Sequence, residues 1–163
     1  MTYREGAIGD TAQLKKLALI SYGQFQNVLN EENWEKLRTQ LTREDLFPGL
    51  LKTSQCFVCE NANEIIGMAF LVSRGNPTEI FEADWSYIRM VGVHPDYAGR
   101  RIGSQLTQRC IDFAKSSGEK IIALHTSEYM NAARHIYETL GFKQMKELES
   151  RYGKRYWLYQ LEL

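Results

Sequence analysis

A strand, a turn and a helix start follow one another between Ile88 and Leu106, and their composition suits an anion site. The first amides of a helix have no intrahelical acceptor and carry a partial positive charge. Small side chains at Gly103 and Ser104 let a phosphate approach those amides. The segment therefore predicts a pyrophosphate cradle, and a glycine-containing turn beside solvated arginines is the alternative.

Gly92 is the second residue of chemical interest, because it interrupts an otherwise apolar strand. Glycine inside a strand often marks a bulge or a close approach of another group. A bulge would free backbone amides that can polarise a carbonyl. Relief of crowding explains the same glycine without any chemistry, so both interpretations stay open.

A third segment, Asn131 to Phe142, has the pattern of an amphipathic helix closed by glycine. Tyr137 shares a helical face with Ala133 and Leu140, so periodicity alone favours a core aromatic residue. Asn131 alone is typical of a helix cap.

The elements that must position these residues follow a clear order. Asp10 is expected to cap a helix that starts near Thr11 and continues towards Leu29, and a second helical stripe contains Trp34, Leu37 and Leu41. Strand patterns follow at 55–60, 64–73, 85–93, 121–125 and 155–163. Helical patterns at 102–117 and 131–140 lie between the last three of these strands. This order predicts an α/β (α+β) fold with a mixed, mostly antiparallel central sheet flanked by helices.

Length and composition restrict the class of protein. The chain has 163 residues, which suits a single domain over residues 1–163. Its 20 basic and 20 acidic residues give a formal net charge of zero, which argues against nucleic-acid and membrane-surface partners. The N-terminal residues lack a signal-peptide pattern and no apolar run is bilayer-length, so we expect a cytoplasmic location.

Cys56 and Cys59 have the C-x-x-C spacing of some redox and metal sites, whereas the histidines have no metal-ligand spacing. Cys56 and Cys59 lie in a strand pattern, where residues three apart face opposite sides, and Cys110 falls on the apolar stripe of its helix. The histidines have ordinary interpretations: His94 in a turn, His125 at a strand end and His135 on a helix surface. No bound metal is expected.

In this order and spacing, the three segments resemble the GNAT superfamily of N-acetyltransferases. The family pattern has a strand ending in Val-x-Val-x-Pro, a turn reading Q/R-x-x-G-x-G/A and a helix, and a later helix reading N-x-x-A-x-x-x-Y-x-x-x-G-F. The matching stretches here are 91–95, 98–103 and 131–142. Two positions depart from the pattern: Ala98 replaces Gln or Arg, and Arg101 replaces Gly.

The resemblance implies a site for acetyl-CoA, the acetyl donor. Its pantetheine arm would lie in a splayed gap of the sheet, between the strand residues Val91, Gly92 and Val93 and the strand 121–125. Asn131 and Tyr137 would contact the same arm. The pyrophosphate would lie on the turn and helix start, at Gly99, Arg100, Arg101, Ile102, Gly103 and Ser104.

The resemblance also implies direct attack of an amine on the thioester, with Tyr137 protonating the leaving thiolate. Related enzymes often use a strand carboxylate or water as the base. Tyr87 occupies the usual carboxylate place, so Glu82, with Glu79 and Asp84 beside it, is the predicted base. A solvated acidic loop is the alternative, and if the loop faces the site it would favour a cationic amine.

A small-molecule amine is the expected acceptor, and a protein amine or a non-catalytic coenzyme-binding module are the alternatives. Aromatic residues from the first helices and from the loop before the long strand are candidates for the acceptor pocket or for the core: Tyr22, Phe25, Trp34, Phe81 and Trp85. The C-terminal strand pattern allows either pairing across a homodimer or completion of its own sheet.

Overall fold

The structure, a computed structural model, describes residues 1–163. Short 3-10 turns at Ile8–Asp10 and Pro95–Tyr97 accompany the longer elements. Those elements are, in chain order, β1 (Thr2–Glu5), α1 (Thr11–Gly23), α2 (Glu31–Leu41), α3 (Leu46–Thr53), β2 (Gln55–Asn61), β3 (Glu64–Val72), β4 (Ser86–Val93), α4 (Ile102–Ser116), β5 (Ile121–Ser127), α5 (Asn131–Thr139), β6 (Lys143–Arg151) and β7 (Lys154–Glu162).

One seven-stranded sheet, in the order β1-β2-β3-β4-β5-β7-β6, runs through the molecule. Every neighbouring pair is antiparallel except β4 and β5, which are parallel. Helices α4 and α5 cover one face, and α1, α2 and α3 cover part of the other. The predicted mixed, mostly antiparallel sheet flanked by helices is confirmed.

The parallel junction is the feature that shapes the site. Only Ser86 with Ile122 and Tyr87 with Ala123 are paired between β4 and β5. Beyond them β4 continues to Val93 and β5 to Ser127 without a ladder between the strands. The predicted splay of the sheet is therefore present, and we call this gap the fork.

Glycine allows helix α4 to lie directly on the sheet. A Cβ atom at Gly67 of β3 would come within 2.6 Å of Ile102 Cγ2 and 2.9 Å of Leu106 Cδ1. Because real Cβ atoms do not approach so closely, only glycine fits beneath the first turn of α4. This contact fixes the helix start beside the end of β4.

The structure corrects two predictions, one for the start of helix α1 and one for its end. Asp10 does not cap α1 with its side chain; its carboxylate accepts hydrogen bonds from Arg4 and from the Ala7 amide. Helix α1 ends at Gly23 instead of continuing to Leu29. Pro48 lies within α3, near its start, where a missing N–H costs little.

Strand β7 lies between β5 and β6, so both of its edges are paired within the chain. It completes its own sheet and has no free edge for a partner. Cys56 and Cys59 are buried in different core clusters, as the strand pattern predicted. None of the helices has the length and apolar character needed to cross a bilayer.

Candidate active site

Strand β4 bulges just before it ends. Phe70 of β3 faces Arg89, whereas Met68, two residues away, faces Gly92, so β4 has an extra residue. Met90 adopts a left-handed conformation with φ of 56°, which costs a non-glycine residue about 1–2 kcal/mol. The bulge suggested by Gly92 therefore exists, but the strained residue is Met90.

Gly92 serves the close approach of helix α1. A Cβ atom there would lie 3.1 Å from Met68 Cε and 3.2 Å from Ser21 Oγ. The Val93 amide donates to Ser21 Oγ at 3.2 Å, and the Tyr22 hydroxyl donates to the Val91 carbonyl at 3.5 Å. Contacts of Val91 and Val93 with a coenzyme arm remain predictions, and Val93 N–H would have to exchange Ser21 for the ligand.

The turn before α4 contains two residues in the left-handed conformation, and one of them is at the position where the family pattern has glycine. Arg101, at the family's glycine position, adopts a left-handed conformation with φ of 62° and caps α4. Gly99 is also left-handed, with φ of 78°. Glycine readily adopts this conformation, so the substitution changes the side chain and leaves the path of the backbone.

The helix start is small and positively charged. Gly103 is buried against α5, where a Cβ atom would lie 3.1 Å from Ile136 Cδ1. The Arg100 guanidinium stacks on the Tyr97 ring at 5.1 Å. Arg100 and Arg101 are exposed, and neither forms an ion pair with a carboxylate of the chain. The predicted anion cradle, which includes Ile102 and Ser104, thus has free positive charge beside free amides.

Replacing Arg101 with Gly should distinguish the contribution of the backbone conformation from that of the side-chain charge to coenzyme binding. We expect unchanged or slightly higher unfolding temperature, because glycine relieves the left-handed strain. The dissociation constant for coenzyme A should rise about two- to fivefold with loss of one charge. Titration calorimetry measures this, with Arg101→Lys as the charge-preserving control. Equal affinity in Arg101→Gly and the parent chain would show that the side chain does not contact the ligand.

Tyr137 is buried in the core cluster that lies between the sheet and helices α4 and α5. Its ring packs edge-on against Phe142, with centroids 5.8 Å apart. Burial raises the pKa of Tyr137, and the phenol of Tyr22 and the thiol of Cys110 raise it further. Tyr22 itself hydrogen-bonds to Val91 at the end of β4. Tyr137 is therefore a buried core aromatic residue with a protonated phenol, and its role as proton donor remains a prediction.

On the face opposite α4, a row of aromatic side chains runs beside the fork. The ring centroids of Tyr22 and Phe25 are 6.4 Å apart, and those of Phe25 and Tyr129 are 4.9 Å apart. The hydroxyl groups of Tyr129 and Tyr156 share a hydrogen bond of 2.8 Å. Beyond Tyr156 the row continues through His125, Phe81 and Tyr87. We call these seven side chains the aromatic arc. Of the five predicted pocket residues, Tyr22, Phe25 and Phe81 belong to it, whereas Trp34 is in the helical core and Trp85 packs beside Phe81.

His125, which sequence reasoning had placed as an ordinary strand-end residue, is the polar member of the arc. Its Nδ1 atom is buried and has no hydrogen-bond partner. Burial, followed by the charges of Arg151 and Arg89, lowers the pKa of His125 to about 4. The imidazole is therefore neutral near pH 7, and its Nδ1 has no partner within the chain.

Glu82, the predicted base, is exposed in the loop between β3 and β4, as are Glu79 and Asp84. The Glu82 carbonyl accepts a hydrogen bond from the Trp85 amide, which shapes the loop. Its neighbour Phe81 is the loop residue that enters the arc, stacked on Tyr87 at 4.3 Å. The Glu82 carboxylate is thus exposed to solvent, and its role as a base remains a prediction. Asn131, at the exposed start of α5, likewise remains a predicted coenzyme contact.

This geometry agrees with a known family. The chain matches the model of the acetyltransferase (GNAT) family over residues 19–142. It belongs to that family. The GNAT chain is 39% identical over 62 residues to N-alpha-acetyltransferase 30 of Schizosaccharomyces pombe, covering 38% of this chain and 41% of that protein. It is 32% identical over 71 residues to L-amino acid N-acyltransferase MnaT of Escherichia coli, covering 42% and 40%.

The GNAT chain spans only about two fifths of the length of these curated relatives. Solved structures, in contrast, match the fold of this chain over nearly its whole length. The PaiA N-acetyltransferase of Thermoplasma acidophilum, solved in complex with coenzyme A, superposes with a TM-score of 0.80 at 17% identity. The alignment covers 99% of this chain and 98% of that one. At this identity the comparison establishes the shared fold.

Proposed function

We propose that this GNAT chain transfers an acetyl group from acetyl-CoA to the primary amine of a small molecule, by direct attack in a ternary complex. The observation that carries the proposal is the fork, together with His125 in the arc beside it, whose buried Nδ1 has no hydrogen-bond partner in the chain. Membership of the acetyltransferase family supports acetyl-CoA as the donor.

The coenzyme site would use the backbone more than side chains. The pantetheine arm would pair with free backbone groups in the fork, as an added strand does. The pyrophosphate would lie on the first amides of α4, where the helix dipole and Arg100 favour an anion. No metal takes part in this scheme.

The chemistry needs one proton acceptor and one proton donor. As the amine nitrogen bonds to the thioester carbon, its N–H becomes acidic, and neutral His125 accepts the proton directly or through water. A backbone N–H of the β4 bulge would stabilise the oxyanion, which typically contributes ~10²–10³-fold per donor. The C–S bond then breaks, and Tyr137 donates its proton to the thiolate.

The closed end of the arc favours a small acceptor. The turn between β6 and β7 meets α2, because a Cβ atom at Gly153 would lie 2.8 Å from Asn33 Nδ2. Tyr152 of the same turn packs against the helical core. A hairpin turn that lies against α2 at this end of the arc would restrict a folded protein more than a small amine. The two curated relatives differ in this respect, since one is named for L-amino acids and the other as an N-alpha-acetyltransferase, so a peptide α-amine is the second candidate.

Thermal unfolding with and without acetyl-CoA tests the donor site. Coenzyme at about 100 times its dissociation constant should stabilise the fold by ~2.7 kcal/mol, or about 5–10 °C for a chain of this size. Release of free thiol on addition of amines then tests transfer. Absence of any shift at millimolar acetyl-CoA would contradict the proposed function. A shift without thiol release by any amine or peptide would indicate a non-catalytic coenzyme-binding module.

A further inference from the structure

Arg89 lies on the acceptor side of the sheet, next to the aromatic arc. In the β3–β4 ladder Tyr87 faces Val72 and Arg89 faces Phe70. Val72 packs with Phe81 of the arc, and Phe70 packs with the helices α1 to α3. Because alternate strand residues share a face, the Arg89 side chain leaves the sheet on the same side as Tyr87.

Arg151 reaches the same side because β6 contains a bulge. Leu148 pairs with Tyr156, whereas Arg151 pairs with Lys154, so three steps along β6 match two along β7. The extra residue brings Arg151 onto the face of Leu148 and Tyr156. Without it, Arg151 would lie on the opposite face, where Arg155 covers Trp157.

These two guanidinium groups have no counter-ion in the chain. Arg155, close to Arg151 in the same hairpin, is 2.7 Å from Glu147, but neither Arg89 nor Arg151 forms an ion pair. Both side chains are exposed, so a ligand can reach them. The positive charges of Arg151 and Arg89 add to burial in lowering the pKa of His125.

We propose that the acceptor amine carries a carboxylate, which binds to Arg89 and Arg151 while the amine faces His125. The inference rests on the proposed function and names its substrate class: small α-amino acids and similar amino-carboxylates. The guanidinium group of arginine presents a planar set of N–H donors that matches the two oxygens of a carboxylate. The acidic loop had suggested a cationic acceptor, but the charges that reach His125 are positive.

This charge arrangement also favours the reaction. Nearby positive charge disfavours an ammonium ion, so it favours the neutral, nucleophilic amine. A carboxylate bound to the arginines would offset the charge that acts on His125, and would thereby make the imidazole a better proton acceptor. A diamine without an acidic group would meet repulsion and gain no compensating contact.

The test uses the full chain with acetyl-CoA and matched acceptors. Leucine, methionine, phenylalanine and glutamate are each compared with their α-amides and their decarboxylated amines. The readout is kcat/KM for thiol release, corrected for the fraction of free amine. We expect the best amino acid to exceed its amide about 10- to 100-fold. In Arg89→Gln and in Arg151→Gln this ratio should approach one.

Arg155→Gln is the matched control, because it removes a guanidinium from the same hairpin on the opposite face. It should retain the parental ratio of acid to amide. Equal use of acids, amides and decarboxylated amines by the parent chain would overturn the inference and leave the proposed function intact. Equal losses on acid and amide in the two arginine variants would also overturn it. Acetylation of none of the acceptors would contradict the proposed function and the inference together.

Discussion

Replacing Tyr137 with Phe should lower kcat by about 10²- to 10⁴-fold and leave the affinity for acetyl-CoA nearly unchanged. The reason is that no group of similar acidity would replace the phenol as proton donor to the leaving thiolate. Burial raises the pKa of Tyr137, so the phenol is protonated at every working pH. Steady-state kinetics give kcat, and calorimetric titration gives the coenzyme affinity.

Tyr159→Phe provides a control of the same chemical type. Tyr159 is also buried, but its hydroxyl contacts Arg134, Glu138 and Gln144 on the α5 side of the sheet. This variant should lose some stability and keep kcat. Equal kcat in Tyr137→Phe and the parent chain would mean that Tyr137 is structural only. A faster leaving thiol in the acyl donor should partly rescue Tyr137→Phe, which a merely misfolded site would not permit.

Replacing His125 with Gln should lower kcat/KM by about 10²-fold or more, because the variant lacks a proton acceptor within the arc. Glu82→Gln is the informative partner, since sequence reasoning assigned the base to that exposed carboxylate. We expect Glu82→Gln to retain most activity. A large loss in Glu82→Gln together with an active His125→Gln would reverse the assignment.

Stability gives the same His125 variant a second readout. The unfolded chain protonates this histidine below about pH 6.5, whereas the folded chain, with the pKa of His125 lowered to about 4, does not. The unfolded state therefore binds the extra proton between these values, and stability falls as the pH falls. The parent chain should lose on the order of 1–2 kcal/mol more than His125→Gln between pH 7.5 and 5.

The parts of the site that depend on local sequence were predictable. The strand ending at Val93, the turn through Arg101 and the helix of Tyr137 are each encoded by contiguous residues, and their periodicity and glycine positions identify them. The mixed sheet followed from the order of the elements. At the altered position of the turn, Arg101 adopts a left-handed conformation that glycine adopts readily.

The parts that depend on pairing between distant segments were not predictable. Strand β1 is too short to show alternation, and β6 is mostly exposed, so neither has an apolar pattern. His125 became notable only when the β5–β7 register set it beside Tyr156. Arg151 lies on the same face of the sheet as Tyr156 because of a bulge in β6 that has no sequence signature. Such features follow from the register of strand pairing, which cannot be inferred from the residue pattern of a single sequence.

The two-pair junction between β4 and β5 has a consequence for how the molecule unfolds. Strands β1 to β4 form one continuous ladder and β5 to β7 another, and few backbone hydrogen bonds join them. Without ligand, the two ladders are held together mainly by side-chain packing in the core clusters that they share, so we expect β5 to β7 to open at a lower free energy than global unfolding. A coenzyme arm in the fork would bridge the two ladders. Proteolytic lifetime in a cell would then follow the supply of acetyl-CoA, and protein abundance would respond to the same metabolite that the site consumes.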